Sequence, residues 1–196
     1  MTTPLRVAVI QGSTRDGRLG PTVARWIDTH AAARADMSTD LIDLAETPLP
    51  TVFPQLGQAP ARQEDRDLLA AVSPRLAAAD AFVVVTPEYN HSYPASLKNA
   101  IDWHNREWHA KPVALVAYGG FSAGLRAVEH LRAVFAELHA VTIREAVGLQ
   151  GVWGQFDAQG RAVDPAADTA ATSMLDQLAW WAQVLREGRA KSPYGA

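Results

Sequence analysis

Short, continuously apolar stretches recur along this chain, and the segments between them have the periodicity of helices. A strand that is covered on both faces forms an unbroken apolar run, whereas a half-exposed strand alternates. Four stretches therefore predict buried strands, at residues 5–10, 41–44, 81–86 and 113–118. A fifth strand, with weaker patterning, is predicted near residues 142–149.

Apolar side chains at three- and four-residue steps predict amphipathic helices between these strands. One such face runs from Val23 to His30, and another runs from Leu125 to Leu138. Strands that alternate with helices predict the α/β class with a parallel sheet. Five such strands favour a flavodoxin-like three-layer sandwich with strand order 2-1-3-4-5, whose ligand lies at the carboxyl ends of the strands.

The length of 196 residues predicts a single domain over residues 1–196, with a loose, polar tail from about Gly188. Two longer loops interrupt the alternation of elements. The first, at residues 47–60, carries four prolines and should cover an edge of the ligand site. The second, at residues 148–164, contains glycines and turn formers, which predict a small hairpin or flap.

Composition excludes several classes of function. A net charge of -3 without clustered Lys and Arg argues against a nucleic-acid partner, and a mean hydropathy of -0.09 argues against a membrane protein. Because cysteine is absent, disulfides, iron–sulfur clusters and thiol catalysis are excluded, and no paired histidines at helical spacing predict a metal site. The amino terminus lacks a signal-peptide pattern and enters the first strand, which favours a cytoplasmic protein.

The segment between the first strand and the first helix, residues 12–21, has the composition of a phosphate-binding loop. Phosphate binding uses N–H donors at a helix N-terminus, supported by a cation. The loop supplies hydroxyls, cations and glycines in that setting: Ser13, Thr14, Arg15, Gly17, Arg18 and Gly20. Its spacing matches neither a Walker A loop nor the Rossmann fingerprint. Asp43, at the end of the second strand, occupies the place of a ribose-binding acid, so a dinucleotide fold stays open.

Two further segments follow the third and fourth strands and should reach the same edge of the sheet. Residues 86–94 contain turn formers and two tyrosines, and Tyr89 and Asn90 could contact a flat aromatic ligand. Residues 117–124 contain Gly119 and Gly120, whose N–H groups would lie near the same crevice.

Residues 120–124 also match the G-x-S-x-G nucleophile elbow of serine hydrolases, with Ser122 as the nucleophile. Such an enzyme needs an acid and then a histidine later in the chain. The histidines after Ser122 are His130 and His139, both on the helix that would begin at the elbow, and no acid beyond that helix precedes a histidine. The order of residues therefore disfavours this alternative.

Together, the three segments resemble the NADPH-dependent FMN reductase family, whose members are flavodoxin-like quinone, azo, chromate or flavin reductases. The likeness runs from Val7 to about Leu138, and its most specific part is residues 87–103, which begin with Pro-Glu-Tyr-Asn. The opening Gly12-Ser-x-Arg15 also matches. The resemblance implies non-covalent FMN, NADPH or NADH as the electron donor, and ping-pong transfer of two electrons to a small-molecule acceptor.

Carried onto this chain, the resemblance implies an FMN site in three parts, without a catalytic side chain. The implied phosphate ligands are Ser13, Arg15, Arg18, Leu19 and Gly20, the last three through their backbone. The implied residues along the isoalloxazine ring are Pro87, Glu88, Tyr89 and Asn90. Gly119 and Gly120 would donate to the pyrimidine edge of that ring. Arg18 could instead face the nicotinamide cofactor, since family loops often carry a small hydroxyl or amide residue nearby.

A second hypothesis is a flavodoxin proper, an FMN electron carrier without a substrate of its own. Flavodoxins lack the Pro-Glu-Tyr-Asn stretch and are usually more acidic, which steers them toward basic partners. The net charge of -3 favours the reductase.

The final helix predicts a contact between subunits. Residues 174, 175, 178, 181, 182 and 185 share an apolar face that should pack on the sheet, whereas Trp180 and Val184 point away from it. Because aromatic residues are enriched in interface cores, we expect Trp180 to be buried against another subunit or against the flap at residues 148–164. The resemblance implies a homodimer or homotetramer and favours the subunit.

Overall fold

Five parallel strands form one sheet in the order β2-β1-β3-β4-β5, which confirms the flavodoxin-like order predicted from the sequence. The structure is a computed structural model that describes residues 3–55 and 57–195. The strands are β1 (Leu5–Gln11), β2 (Met37–Asp43), β3 (Ala81–Pro87), β4 (Pro112–Gly119) and β5 (Val141–Gln150). The helices are α1 (Gly20–Ala32), α2 (Gln63–Ala78), α3 (Ala95–Asp102), α4 (Leu125–Glu137) and α5 (Pro165–Lys191).

Helices cover both faces of the sheet, so the fold has the three layers that were expected. Side chains of α1 and α5 pack with one face in a first hydrophobic cluster, and those of α2, α3 and α4 pack with the other face in a second cluster. Every residue of β3 is buried. This two-sided burial explains why β1, β3 and β4 are continuous apolar runs in the sequence.

The second strand differs from its prediction at residues 41–44. It begins at Met37 and ends at Asp43, and its pairing with β1 starts where Met37 lies opposite Leu5. Residues 38–40 are polar, so the first half of this strand shows no apolar run in the sequence. Polar residues are tolerated there because β2 is an edge strand whose middle positions are only partly buried. Backbone hydrogen bonding to β1, rather than side-chain hydrophobicity, determines its extent.

The carboxyl-terminal helix also corrects an expectation. The loose tail predicted from Gly188 is helical as far as Lys191, because α5 continues past the glycine. Arg189 in this last turn donates to the carbonyl oxygen of Ala110. Beyond the helix, the Tyr194 hydroxyl lies 3.0 Å from Nδ1 of His139.

The two long loops have different structures. The described part of residues 47–60 contains no helix or strand. Two side chains at the end of α3 hold the start of this loop. Asn99 donates to the carbonyl of Leu49 at 2.9 Å, and the Trp103 indole donates to the carbonyl of Pro50 at 2.7 Å. The second loop contains a short 3-10 helix and an antiparallel bridge between Phe156 and Ala162, which agrees with a small hairpin. No helix in the described ranges is long and apolar enough to cross a bilayer.

Candidate functional site

The three segments singled out in the sequence meet at the carboxyl edge of β1, β3 and β4. The Gly12 N–H donates to the carbonyl of Val85 at 2.9 Å, which joins the loop after β1 to the end of β3. The Ser13 hydroxyl lies 2.8 Å from that of Tyr89, and the Glu88 N–H donates to the carbonyl of Tyr118 at 2.9 Å. Because parallel strands end at one edge, segments far apart in sequence form one crevice there.

The loop after β1 is folded around the buried side chain of Gln11. Its Oε1 accepts from the Ser13 N–H, while its Nε2 donates to the Ser13 carbonyl at 2.9 Å and to Asp43 Oδ1 at 3.2 Å. Sequence analysis missed Gln11, although a glutamine that ends a buried apolar run would have been a usable signal. The two Gln11 contacts with Ser13 present the loop toward the crevice.

Helix α1 begins at Gly20, directly against this network. A Cβ on Gly20 would lie 2.7 Å from Gln11 Oε1 and 2.9 Å from the Tyr118 hydroxyl, so a larger residue there would displace the Gln11 or Tyr118 side chain. Leu19 is the N-cap, and its side chain makes no capping hydrogen bond. Pro21 has no N–H, and the N–H groups of Thr22 and Val23 donate to the Leu19 carbonyl, so the first turn of α1 leaves the Gly20 N–H for an anion.

The two arginines of the loop have different partners. The Arg15 guanidinium lies over the Tyr89 ring, 4.5 Å from its centroid. Arg18 donates from Nη2 to Asp43 Oδ2 at 2.7 Å. Asp43 also accepts from Gln11 and from the Ala45 N–H, so its carboxylate is engaged. Together with the observed strand order, this removes the dinucleotide-fold alternative that Asp43 had left open.

Glu88 joins the loops that follow β3 and β4. Its side chain is only 8 % exposed, and its carboxylate accepts from the Ser122 hydroxyl at 2.6 Å and from N–H and Nη1 of Arg126 at 3.1 and 3.0 Å. Burial alone would raise the pKa of Glu88, but the hydrogen bonds from Ser122 and Arg126 outweigh it and hold that pKa below its ordinary value. The pattern of the sequence held no signal for the role of Arg126.

These contacts also decide the hydrolase alternative. The Ser122 hydroxyl donates to a carboxylate, whereas a nucleophilic serine is paired with a histidine. His130 contacts Ser92, and His139 contacts Tyr194. In the described residues, Ser122 is therefore not part of a catalytic triad.

Of the remaining predicted residues, Asn90 and Gly120 are exposed at this edge, whereas Pro87 is buried at the end of β3 and Gly119 is half-buried at the end of β4. Asn90 has a φ of 48°, within a tight turn closed by hydrogen bonds between Tyr89 and Ser92. A Cβ on Gly120 would meet nothing within 4 Å, so this backbone borders open space. Phe121, the next residue, is 88 % exposed. The edge thus offers uncrowded backbone beside an exposed aromatic ring.

Within the described ranges, two buried polar atoms at this edge have no hydrogen-bond partner: Arg18 Nε and the Tyr118 hydroxyl. Both can donate a hydrogen bond. Unpaired buried polar groups are rare and call for a ligand, water or ion that completes them. These unused donors and the Arg15 guanidinium, beside the start of α1, fit the phosphate of FMN.

The fold is that of a flavodoxin-like protein, with a crevice at the carboxyl edge of its sheet. The profile of a family described as NADPH-dependent FMN reductase matches residues 5–154. The chain belongs to the NADPH-dependent FMN reductase family, and its cofactors are FMN and NAD(P)H.

Known proteins from several organisms are similar along much of the chain. An NAD(P)H-dependent FMN reductase from Pseudomonas aeruginosa is 33% identical over 95% of this chain and 100% of its own length. A quinone reductase from Escherichia coli K12 is 34% identical over 78% of this chain and 80% of its own. An NAD(P)H-dependent FMN reductase from Schizosaccharomyces pombe is 38% identical, but the match spans 61% of this chain and 60% of that protein.

A solved structure agrees with these sequence matches. FerB from Paracoccus denitrificans, a flavoenzyme NAD(P)H:(acceptor) oxidoreductase, superimposes with a TM-score of 0.74 at 25% identity. The superposition covers 91% of this chain and 97% of FerB. This protein is therefore an oxidoreductase by family.

Proposed function

We propose that this protein reduces a quinone, or a related flavin or azo acceptor, with two electrons drawn from NAD(P)H through FMN held at the carboxyl edge of the sheet. The observation that carries the proposal is the pair of buried donors without a partner beside the start of α1, Arg18 Nε and the Tyr118 hydroxyl, since a phosphate ester is the chemistry they fit. The similarity to a quinone reductase supports a quinone as the acceptor.

The proposed cofactor contacts have three parts. Those to the phosphate are Ser13, Arg15 and the backbone of Arg18, Leu19 and Gly20. Those along the isoalloxazine ring are Pro87, Glu88, Tyr89 and Asn90, and Gly119 and Gly120 face its pyrimidine edge. Glu88 contributes through its backbone carbonyl, because its N–H donates to Tyr118 and its carboxylate is shared by Ser122 and Arg126. Arg18 contributes a backbone N–H, because Asp43 holds its guanidinium.

FMN, when bound, supplies the hydride and electron chemistry, so the chain itself needs no general acid or base. Its residues bind, orient and stabilise charge. The backbone at Gly120 borders open space, so N–H groups of Gly119 and Gly120 could be directed at a developing negative charge there. The Glu88–Arg126 pair keeps the loops after β3 and β4 at a constant separation, which orients those N–H groups.

The proposal is tested by mixing the purified protein, loaded with FMN, with NADPH or NADH and with a panel of quinones, azo dyes and free flavin. We expect nicotinamide oxidation at 340 nm that depends on both FMN and a quinone. A protein that binds FMN yet turns over none of these acceptors would be the carrier of the second hypothesis. A protein that binds no FMN would contradict the proposal altogether.

We further propose a homodimer or homotetramer in the cytoplasm, where NAD(P)H is available to soluble reductases. The exposed Trp180 on α5 supports the assembly. Cell fractionation with an antibody against the protein tests the location, and recovery in a membrane or periplasmic fraction would contradict it.

A further inference from the structure

Tyr118 belongs to the segment at residues 117–124, but the sequence predicted no role for its side chain. It lies near the end of β4, and its side chain packs into the hydrophobic cluster beneath α1 and α5. Its hydroxyl reaches the amino end of α1, where a Cβ on Gly20 would be 2.9 Å away. The phenol therefore crosses the core and ends under the first turn of the phosphate loop's helix.

The Tyr118 hydroxyl is buried without a partner. The residue is 5% exposed, and among the described residues no atom forms a hydrogen bond with this hydroxyl. The nearest candidates have other partners: the Ser13 hydroxyl lies against that of Tyr89, and Gln11 Oε1 accepts from the Ser13 N–H. A buried hydroxyl in this position is costly unless a ligand completes it.

The surroundings of the Tyr118 hydroxyl favour a hydrogen bond from it to an anion. Burial raises the pKa of Tyr118 above the ordinary tyrosine value, against a lowering by nearby Ser13, Arg18 and Arg15. The phenol therefore keeps its proton at neutral pH and can donate it in a hydrogen bond. Arg15 and Arg18 supply positive charge nearby, and the amino end of α1 adds the Gly20 N–H and the positive end of the helix dipole.

We propose that Tyr118 is a further phosphate ligand, whose hydroxyl donates to an FMN phosphate oxygen at the amino end of α1. This rests on the proposed function and deepens it. A Cβ on Gly20 would lie 2.9 Å from this hydroxyl, so the glycine leaves room for it beside the helix start. Riboflavin, which lacks the phosphate, gains nothing from Tyr118.

The test is Tyr118→Phe, measured in the apoprotein by quenching of flavin fluorescence. We expect the affinity for FMN to fall by at least about tenfold, because the lost hydrogen bond is to a charged group. The affinity for riboflavin should stay within about twofold, because the phenyl ring keeps the packing. The melting temperature of the apoprotein should be unchanged or higher, because the variant removes an unpaired buried hydroxyl.

Tyr93→Phe is the matched control, because Tyr93 is half-buried and packs in the cluster on the opposite face of the sheet. It should leave the ratio of FMN to riboflavin affinity unchanged. If Tyr118→Phe leaves the ratio of FMN to riboflavin affinity unchanged, whether both affinities stay or both fall, the inference is overturned. The proposed function is not affected by that result as long as the wild-type protein binds FMN. Wild-type protein that does not bind FMN would remove both.

Discussion

Arg15 and Arg18 stand three positions apart in one loop, yet the structure gives their charges different surroundings. Arg18 is held by Asp43, and its side chain is about one-fifth exposed. Arg15 has no carboxylate partner among the described residues; its guanidinium rests on the Tyr89 ring. A cation held over an aromatic face stays available to an incoming anion, so Arg15 should carry the charge that recognises the cofactor phosphate.

Arg15→Ala should therefore weaken FMN binding by at least tenfold and leave riboflavin binding unchanged, since a charge-assisted hydrogen bond contributes roughly 1.5–3 kcal/mol. Titration of the apoprotein with each flavin, followed by fluorescence quenching, measures both affinities. Arg25→Ala is the control, because Arg25 is exposed on α1 beyond the loop. Equal losses for FMN and riboflavin would show that Arg15 supports the fold of the loop and not the phosphate.

At the scale of elements, Lys111 joins the end of α2 to the start of β4. It precedes β4 directly, and its buried ammonium donates to the carbonyls of Leu76 and Ala77 at 3.1 and 2.9 Å. Burial, with a smaller contribution from Arg189, lowers the pKa of Lys111 to about 8. The contact satisfies carbonyls at a helix end, but it keeps a positive charge out of water.

This shift makes stability depend on pH in a defined direction. Between pH 8 and 10.5 the unfolded chain binds the Lys111 proton more tightly than the folded protein, so the free energy of unfolding rises with pH. Across that range, the free energy of unfolding of the wild-type protein should rise by about 3 kcal/mol relative to that of Lys111→Met, a value that follows from the size of the pKa shift. Urea denaturation at several pH values measures the difference.

The control for this series is Lys191→Met, which removes an exposed lysine at the end of α5. Its free energy of unfolding should run parallel to that of wild type over the same pH range. If Lys111→Met ran parallel as well, the buried ammonium would not titrate as described.

At the scale of the whole molecule, the described residues leave most of the Trp180 side chain uncovered. Met174, Leu175, Leu178 and Ala182 of α5 are buried as expected, but Trp180 is 60% exposed and its ring contacts that of Trp181. Of the two covers expected for Trp180, the flap at residues 148–164 does not bury it. A second subunit remains the predicted cover, since an exposed indole beside Val184 is typical of an interface core.

Trp180→Glu should therefore shift the protein to smaller particles in sedimentation velocity, with FMN still bound, because a buried carboxylate would cost several kcal/mol. Ser173→Glu is the control, since it places the same charge at an exposed position of α5. An unchanged particle size and thermal stability for Trp180→Glu would mean that this face lies in solvent.

Catalysis should follow ping-pong kinetics, because the nicotinamide and the acceptor would use one open side of the crevice in turn. Double-reciprocal plots of initial rate against NADPH, at several fixed quinone concentrations, should be parallel. Intersecting lines would require both substrates to bind together and would contradict a shared position.

Where burial is two-sided, the elements could be predicted from the sequence alone. The cores of β1, β3 and β4 match their apolar runs, because each is covered by helices on both faces. The edge strand β2 begins earlier than predicted, because its pairing with β1 outweighs its polar residues. The tail is helical past Gly188, where one glycine costs only about 1 kcal/mol and tertiary contacts of Arg189 offset it.

Local chemistry and fold class were thus determined by the sequence: the order of the sheet, the loop at residues 12–21, and the segments after β3 and β4. Tertiary structure alone decided which side chains complete the site. Gln11 forms hydrogen bonds with the loop after β1, Arg126 donates to Glu88, and the Tyr118 hydroxyl lies beside Gly20. No sequence spacing encodes these contacts, because parallel strands bring together residues from distant segments, and their side chains meet only once the sheet and its helices are packed.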